Sequence, residues 1–172
     1  MKDADKYIDM ENIKVSIELM SADAKLPRYA NPYDSGMDVY VSEEIIIRPM
    51  ETVLVKTGLK FAIPEGYEIQ VRPRSGISLN TPLRIPNSPG TIDSGYRDEL
   101  CIIVQNTSET GTEEIHTIRD KGNKKGIYKI LKGDKICQIV LSKVPRMDLE
   151  IVGSVKEIGN DRKGGFGSSG HS

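Results

Sequence analysis

Apolar residues along this chain recur mostly at every second position or in short runs, the pattern of half-buried strands rather than of an amphipathic helix. Val15, Ile17 and Leu19 alternate with polar neighbours and predict a first strand. Further strands are expected at 37–41, 45–47, 52–55, 59–63 and 67–71, bounded by turn-forming glycine, proline and polar residues. The most apolar runs, 100–104 and 135–141, should be buried strands, and 149–152 a last core strand. Residues 77–79 offer a single helical turn, and no longer segment carries a helical period. Residues 87–100 read as a hairpin, because Pro89-Gly90 and Ser94-Gly95 flank a short apolar step and an alternating run follows. Residues 106–125 are polar and contain Gly111 and Gly122, which predicts a long exposed excursion with a hairpin through 114–118. Many short strands with closely spaced turns make an all-β barrel or sandwich the expected architecture.

The 172 residues suffice for one domain with a sizeable core. That domain is expected over 1–158. Residues 159–172 are rich in glycine, with Phe166 almost alone as an apolar residue, and predict a flexible C-terminal arm. A net charge of −1 argues against a wholesale nucleic-acid or membrane binder, and no apolar run approaches spanning length. Without a secretory pattern, the expected location is the cytoplasm. Cys101 and Cys137 sit in apolar runs and read as core residues, while His116 and His171 are isolated and give no metal spacing.

Five stretches carry candidate chemistry. In 87–100, Asn87 offers a donor and an acceptor, Asp93 a carboxylate able to act as a base, and Tyr96 a flat ring. The same residue types are ordinary turn vocabulary. Arg72-Pro73-Arg74-Ser75-Gly76 combines cations, a hydroxyl and an accessible backbone, which suits phosphate oxygens or simply a solvated turn. Gln138 is the one strongly polar residue of an apolar run; facing inward its amide would need partners, facing outward it would need none. Asp38 lies in an apolar strand and should be paired if buried, by an arginine or through water to a bound cation. Arg162, Lys163 and the glycines around Phe166 could wrap a polyanion, but lack the Gly-Lys-Ser/Thr spacing of a Walker loop.

Together these stretches resemble the five motifs of the trimeric dUTPase family. They are Asp34-Ser35-Gly36-Met37-Asp38-Val39, Pro73-Arg74-Ser75-Gly76, residues 87–99, Gly133-Asp134-Lys135-Ile136-Cys137-Gln138, and residues 164–170, in that order over nearly the whole chain. The resemblance implies a distorted jelly-roll barrel of the β-clip type, a homotrimer with active sites between subunits, and hydrolysis of dUTP to dUMP and pyrophosphate with Mg²⁺. It implies that Asp93 activates the attacking water and that Gln138 helps to hold it. Arg74, Ser75, Gly76 and Gln138 would bind the phosphates. Asn87, with backbone at Thr91, Ile92 and Cys101, would read uracil, and Tyr96 would pack on the deoxyribose. Arg162, Phe166, Gly167 and Ser168 would close over the nucleotide. Magnesium would ride on the triphosphate without direct protein ligands, Asp38 reaching it through water. Asp98 departs from the glycine usual after the tyrosine and arginine, Arg162 lies one residue closer to Phe166 than in many members, and 106–125 is longer than typical, which makes it a candidate surface for a protein partner. A dCTP deaminase of related fold and a nucleotide-gated scaffold are the alternative readings.

Overall fold

The structure, a computed structural model, describes residues 11–161. Over them run β1 (Ser16–Leu19), β2 (Met37–Tyr40), β3 (Ile45–Ile47), β4 (Thr52–Lys56), β5 (Leu59–Ala62), β6 (Tyr67–Pro73), α1 (Ser75–Asn80), β7 (Leu83–Arg84), β8 (Gly90–Ile92), β9 (Cys101–Asn106), β10 (Ile115–Thr117), β11 (Ile127–Ile130) and β12 (Lys135–Lys143). The strands form four small sheets, ordered β1-β5, β10-β11-β3, β2-β12-β6-β8 and β4-β9-β7, which wrap into the expected all-β jelly roll.

Strict alternation explains the core. Ile102, Val104 and Asn106 of β9 face inward and their odd-numbered neighbours do not, and Tyr128 and Ile130 do the same on β11. With Val39, Val55, Leu59, Leu83, Leu100 and Ile136 they fill the barrel, each such apolar side chain worth roughly 1.5–3 kcal/mol of burial. β12 breaks its own period: Ile136 and Cys137 are consecutive and both buried, because a register irregularity between Lys135 and Cys137 inserts a residue against β2. Beyond that bulge Gln138 points to the opposite side from Cys137 and Ile139 and is half-buried. It therefore takes the outward of the two orientations its position allowed.

Four expectations change. The helical turn is a six-residue helix, α1, whose C-terminus is closed by Thr81, where both the N–H and the hydroxyl donate to the Ile77 carbonyl. Residues 87–100 are not a paired hairpin: β8 pairs with β6, and β9 pairs with β4 and β7. The excursion is rooted in the interior rather than wholly exposed, and it holds no internal hairpin, since β10 runs parallel to β11. Asn106 donates to the Ile47 and Gly126 carbonyls at 3.0 and 2.8 Å, and buried His116 packs against the Tyr128 ring with Nε2 3.1 Å from the Lys125 carbonyl. Finally, 149–152 is no core strand, with Leu149 82% and Ile151 100% exposed. Both edges of β12 are already taken by β2 and β6, and this segment pairs with no strand among the described residues.

Candidate active site

The candidate residues fall into two groups, one around Gln138 where β2 and β6 flank β12, the other along β8 and the loop that follows it. In the first, β2, β12 and β6 run side by side, so Gln138 stands between Asp38 on one flank and Arg72 on the other. Arg74 and Ser75 follow where β6 ends. Asp38 is buried, with 9% of its side chain exposed, and its charge is met twice. Arg74 Nε lies 2.9 Å from Oδ1 and Lys135 Nζ 2.8 Å from Oδ2. The Arg74 contact is an ion pair without hydrogen-bond alignment, for this buried Nε has no hydrogen-bonded acceptor among the described residues. A second nitrogen of the same guanidinium donates to the Lys135 carbonyl at 3.3 Å.

A cavity of about 300 Å³ opens here, lined by Asp34, Ser35, Gly36, Arg72, Arg74 and Gln138. Ser75 and Gly76 occupy the first turn of α1, where backbone N–H groups have no intrahelical acceptor, and both are exposed. A side chain on Gly76 would meet nothing within 4 Å, so no contact inside the chain calls for glycine there. A second cavity, about 350 Å³, shares Arg74 with the first, and is lined also by Lys135 and by Arg119 and Lys121 of the excursion. Arg119 grips the buried Asp134 carboxylate through two nitrogens at 3.2 and 2.8 Å, and the Asn123 N–H donates to the Asn80 carbonyl at 2.8 Å. The excursion thus braces both the turn before β12 and the far end of α1.

The second group holds Thr91 and Ile92 on β8, Asp93 and Tyr96 on the loop after it, and Cys101 at the start of β9 in another sheet. Asn87 folds back over Gly90, whose missing side chain leaves room: a Cβ there would sit 3.3 Å from both Asn87 Nδ2 and Val71 Cβ. Asp93 is exposed just past β8, and the Tyr96 N–H donates to the Asp93 carbonyl at 3.1 Å, closing the turn. The Tyr96 hydroxyl donates to the Glu99 carbonyl at 2.9 Å. The Glu99 carboxylate in turn accepts the Gly58 N–H at 2.8 Å, and the Thr57 hydroxyl donates to the Leu100 carbonyl at 2.6 Å. The tyrosine loop is therefore clipped to the turn between β4 and β5. Partial burial, then the Asp98 charge, the Cys101 thiol and the Glu99 charge, raise the Tyr96 pKa above its ordinary value. Burial, reinforced by Glu99, raises that of Cys101. Both cysteines are free thiols, and burial pushes Cys137 up to about 12, which keeps it inert.

The structure does not bring the two groups together within one chain. Ile92 pairs with Ile69, which pairs with Leu141, whereas Gln138 pairs with Arg72. Asp93 is one step beyond Ile92, away from Arg72. Two strand spacings sideways and four residues along place Asp93 and Gln138 roughly 15 Å apart. Asp93, Ser75 and Gln138 also make no side-chain hydrogen bond among the described residues, unlike Glu99 and Asp134. Arg162, Phe166, Gly167 and Ser168 lie outside the described residues. Sequence reasoning missed three partnerships: Lys135 on Asp38, Arg119 on Asp134, and Gly36 beneath Gln138. An arginine pairing for Asp38 was legible in the need to neutralise a buried carboxylate, but nothing in the spacing marked Arg119.

A family model described as dUTPase matches residues 22–117. The deoxyuridine 5'-triphosphate nucleotidohydrolase of Clostridium tetani (strain Massachusetts / E88) is 38% identical over 161 residues, covering 94% of this chain and 99% of that protein. The Staphylococcus bacteriophage 80alpha dUTPase, solved with dUpNHpp, superposes with a TM-score of 0.83 at 31% identity, covering 93% of this chain and 100% of that one. A mutant dUTPase from phage phi11 of S. aureus, whose structure is described as showing the coordination of a structural Mg(II) ion, gives a TM-score of 0.74 at 30% identity, over 83% of this chain and 98% of that one.

Proposed function

This chain belongs to the dUTPase family and hydrolyses dUTP, and we propose that it releases dUMP and pyrophosphate at sites assembled between copies of itself. The observation that carries this reading is the separation of Asp93 from Gln138. A chain of carboxylate, water, phosphorus and amide spans at most about 10 Å from end to end. One chain cannot close that span, but two copies packed side by side can. Support also comes from 144–158, where Met147, Leu149, Ile151, Val155 and Ile158 stand exposed. Large apolar side chains left uncovered along one segment are what a neighbouring subunit covers. The assembly we assign is a homotrimer.

In each site Asp93 of one copy takes the proton of a water that attacks the α-phosphorus. Gln138 of the neighbouring copy donates its amide hydrogens to a phosphate oxygen and the water. Arg74 holds the phosphates, its guanidinium fixed in direction by Asp38 and the Lys135 carbonyl. Ser75 and the Gly76 backbone supply further donors, and the absence of a Cβ at Gly76 lets the triphosphate approach. Catalysis of this kind is positioning plus charge neutralisation.

The residues present suit magnesium carried by the nucleotide: both Asp38 oxygens are met by cations, so the carboxylate is not free to ligate a metal directly. When bound, magnesium would neutralise charge on the triphosphate, with Asp38 reaching it through water. The base would be read by Asn87 and the backbone of Thr91, Ile92 and Cys101, with no room for a 5-methyl group. Tyr96 would lie against the deoxyribose and exclude a 2′-hydroxyl. The arm, with Arg162, Phe166, Gly167 and Ser168, would close the site, and the reaction belongs to the cytoplasm.

Asp93→Asn is the direct test. General-base loss is worth about 10²–10⁴ in rate, so pyrophosphate release from dUTP should fall by at least about a hundredfold while a non-hydrolysable analogue still binds. Turnover within tenfold of the parent would remove Asp93 from the mechanism.

A further inference from the structure

Gly36 sits where a loop meets β2, and its backbone is not in the left-handed region that favours glycine. The reason for glycine there is space. A Cβ at this position would lie 2.7 Å from Gln138 Oε1, 3.2 Å from Gln138 Cβ and 3.4 Å from Val140 Cγ2. The first distance is closer than real Cβ atoms approach oxygen, and the second is tight. Gln138 is therefore laid across the bare Cα of Gly36, and that contact directs its amide along the wall of the 300 Å³ cavity.

The nature of the clash decides what a substitution would do. The atom in the way is the far end of a flexible side chain, on the half-buried face of β12, and the core behind it is untouched. The amide can swing away at small cost to the fold. Its direction is what would be lost, and no hydrogen bond among the described residues holds it otherwise. We propose that Gly36 is a positioning residue for dUTP hydrolysis: the empty space at its Cβ seats the Gln138 amide in the orientation that meets the phosphate and the attacking water. This rests on the role given to Gln138 above.

The test is a double-mutant cycle on the full chain with dUTP and Mg²⁺, using Gly36→Ala, Gln138→Ala and the pair, each followed by pyrophosphate release and by thermal unfolding. Gly36→Ala is expected to lower kcat by about tenfold or more, with KM within about threefold, because a misdirected donor fails in the transition state. The pair should be no slower than Gln138→Ala alone, since once the amide is gone its seat has no further purpose. If Gln138→Ala leaves kcat unchanged, the role of Gln138 fails. If Gln138→Ala is slow and Gly36→Ala is not, or the two effects multiply in the pair, the seat is overturned and Gln138 stands. Should Gly36→Ala fail to fold while the pair folds, the amide cannot swing away, Gly36 serves the fold rather than the reaction, and the proposal falls. If neither folds, Gly36 serves the strand and the proposal falls.

Discussion

Mixing two crippled chains should restore activity that neither has. The Asp93→Asn chain keeps the phosphate-side group, and the Gln138→Ala chain keeps the base. Within one chain the two residues stand two strands and four residues apart, roughly 15 Å, and side chains upright on a sheet do not shorten that distance. The reacting array spans at most about 10 Å, so each site must draw them from different copies. When the two variants are unfolded together in equal amounts and refolded, any site takes its Asp93 from an intact donor half the time, and its Gln138 likewise. About one quarter of sites then carry both, whatever the number of copies in the closed ring. Pyrophosphate release should rise from the background of the separate variants to about 25% of the parent rate, given random mixing. The titration has a shape as well as a height: sweeping the mixing ratio should trace a parabola with its maximum at equal amounts. A mixture no faster than the sum of its parts, after size-exclusion chromatography has verified mixed oligomers, would place both residues in one chain and refute the register argument.

Two further outcomes follow from named contacts. Tyr96→Ala should relax discrimination against UTP, chiefly by lowering KM for UTP relative to dUTP; unchanged selectivity in competition assays would remove the ring from sugar recognition. Cys137 carries the pH dependence that is clearest in sign. Its folded pKa is raised to about 12, above the free-thiol value, so the unfolded chain loses its proton first as pH rises. That residue's stabilisation is complete below the unfolded pKa and lost at up to about 1.4 kcal/mol per pH unit between there and 12. Urea unfolding from about pH 8 to about pH 11 should show a steeper loss for the parent than for Cys137→Ala, and parallel curves would contradict the burial argument.

Local rules carried the reading far where they act alone. The alternation of β9 and β11 is visible in the sequence because each strand buries one face, and Cys137 announces itself as a core residue by its apolar neighbours. The failures share a physical source. Residues 149–152 have the composition of a core strand, but composition cannot say whether a segment will find a strand to pair with, and this one pairs with none among the described residues. The stretch 87–100 carries hairpin turn chemistry, yet β8 finds β6 and β9 finds β4, because pairing is chosen by the whole barrel and not by the turn. The bulge at Lys135 shifts the period of β12 by one and turns Gln138 outward, an effect that a strict count of two misses. Gly36 was legible as a motif residue, but its purpose needed the neighbour that a distant strand delivers.

The exposed apolar tail and the divided site express one constraint. A chain that buried 149–152 against its own barrel would be a complete monomer, and its Asp93 and Gln138 would remain roughly 15 Å apart with no means of meeting. On the proposed assembly, Leu149 and Ile151, uncovered by their own chain, would drive association through apolar area. On the same reading the divided site would be completed by that association, since packing copies around a common axis would bring Asp93 of one toward Gln138 of the next. The two features should therefore fail together. Charged residues placed at Leu149 and Ile151 would abolish turnover without touching a group near the phosphate, and the loss would track dissociation of the oligomer.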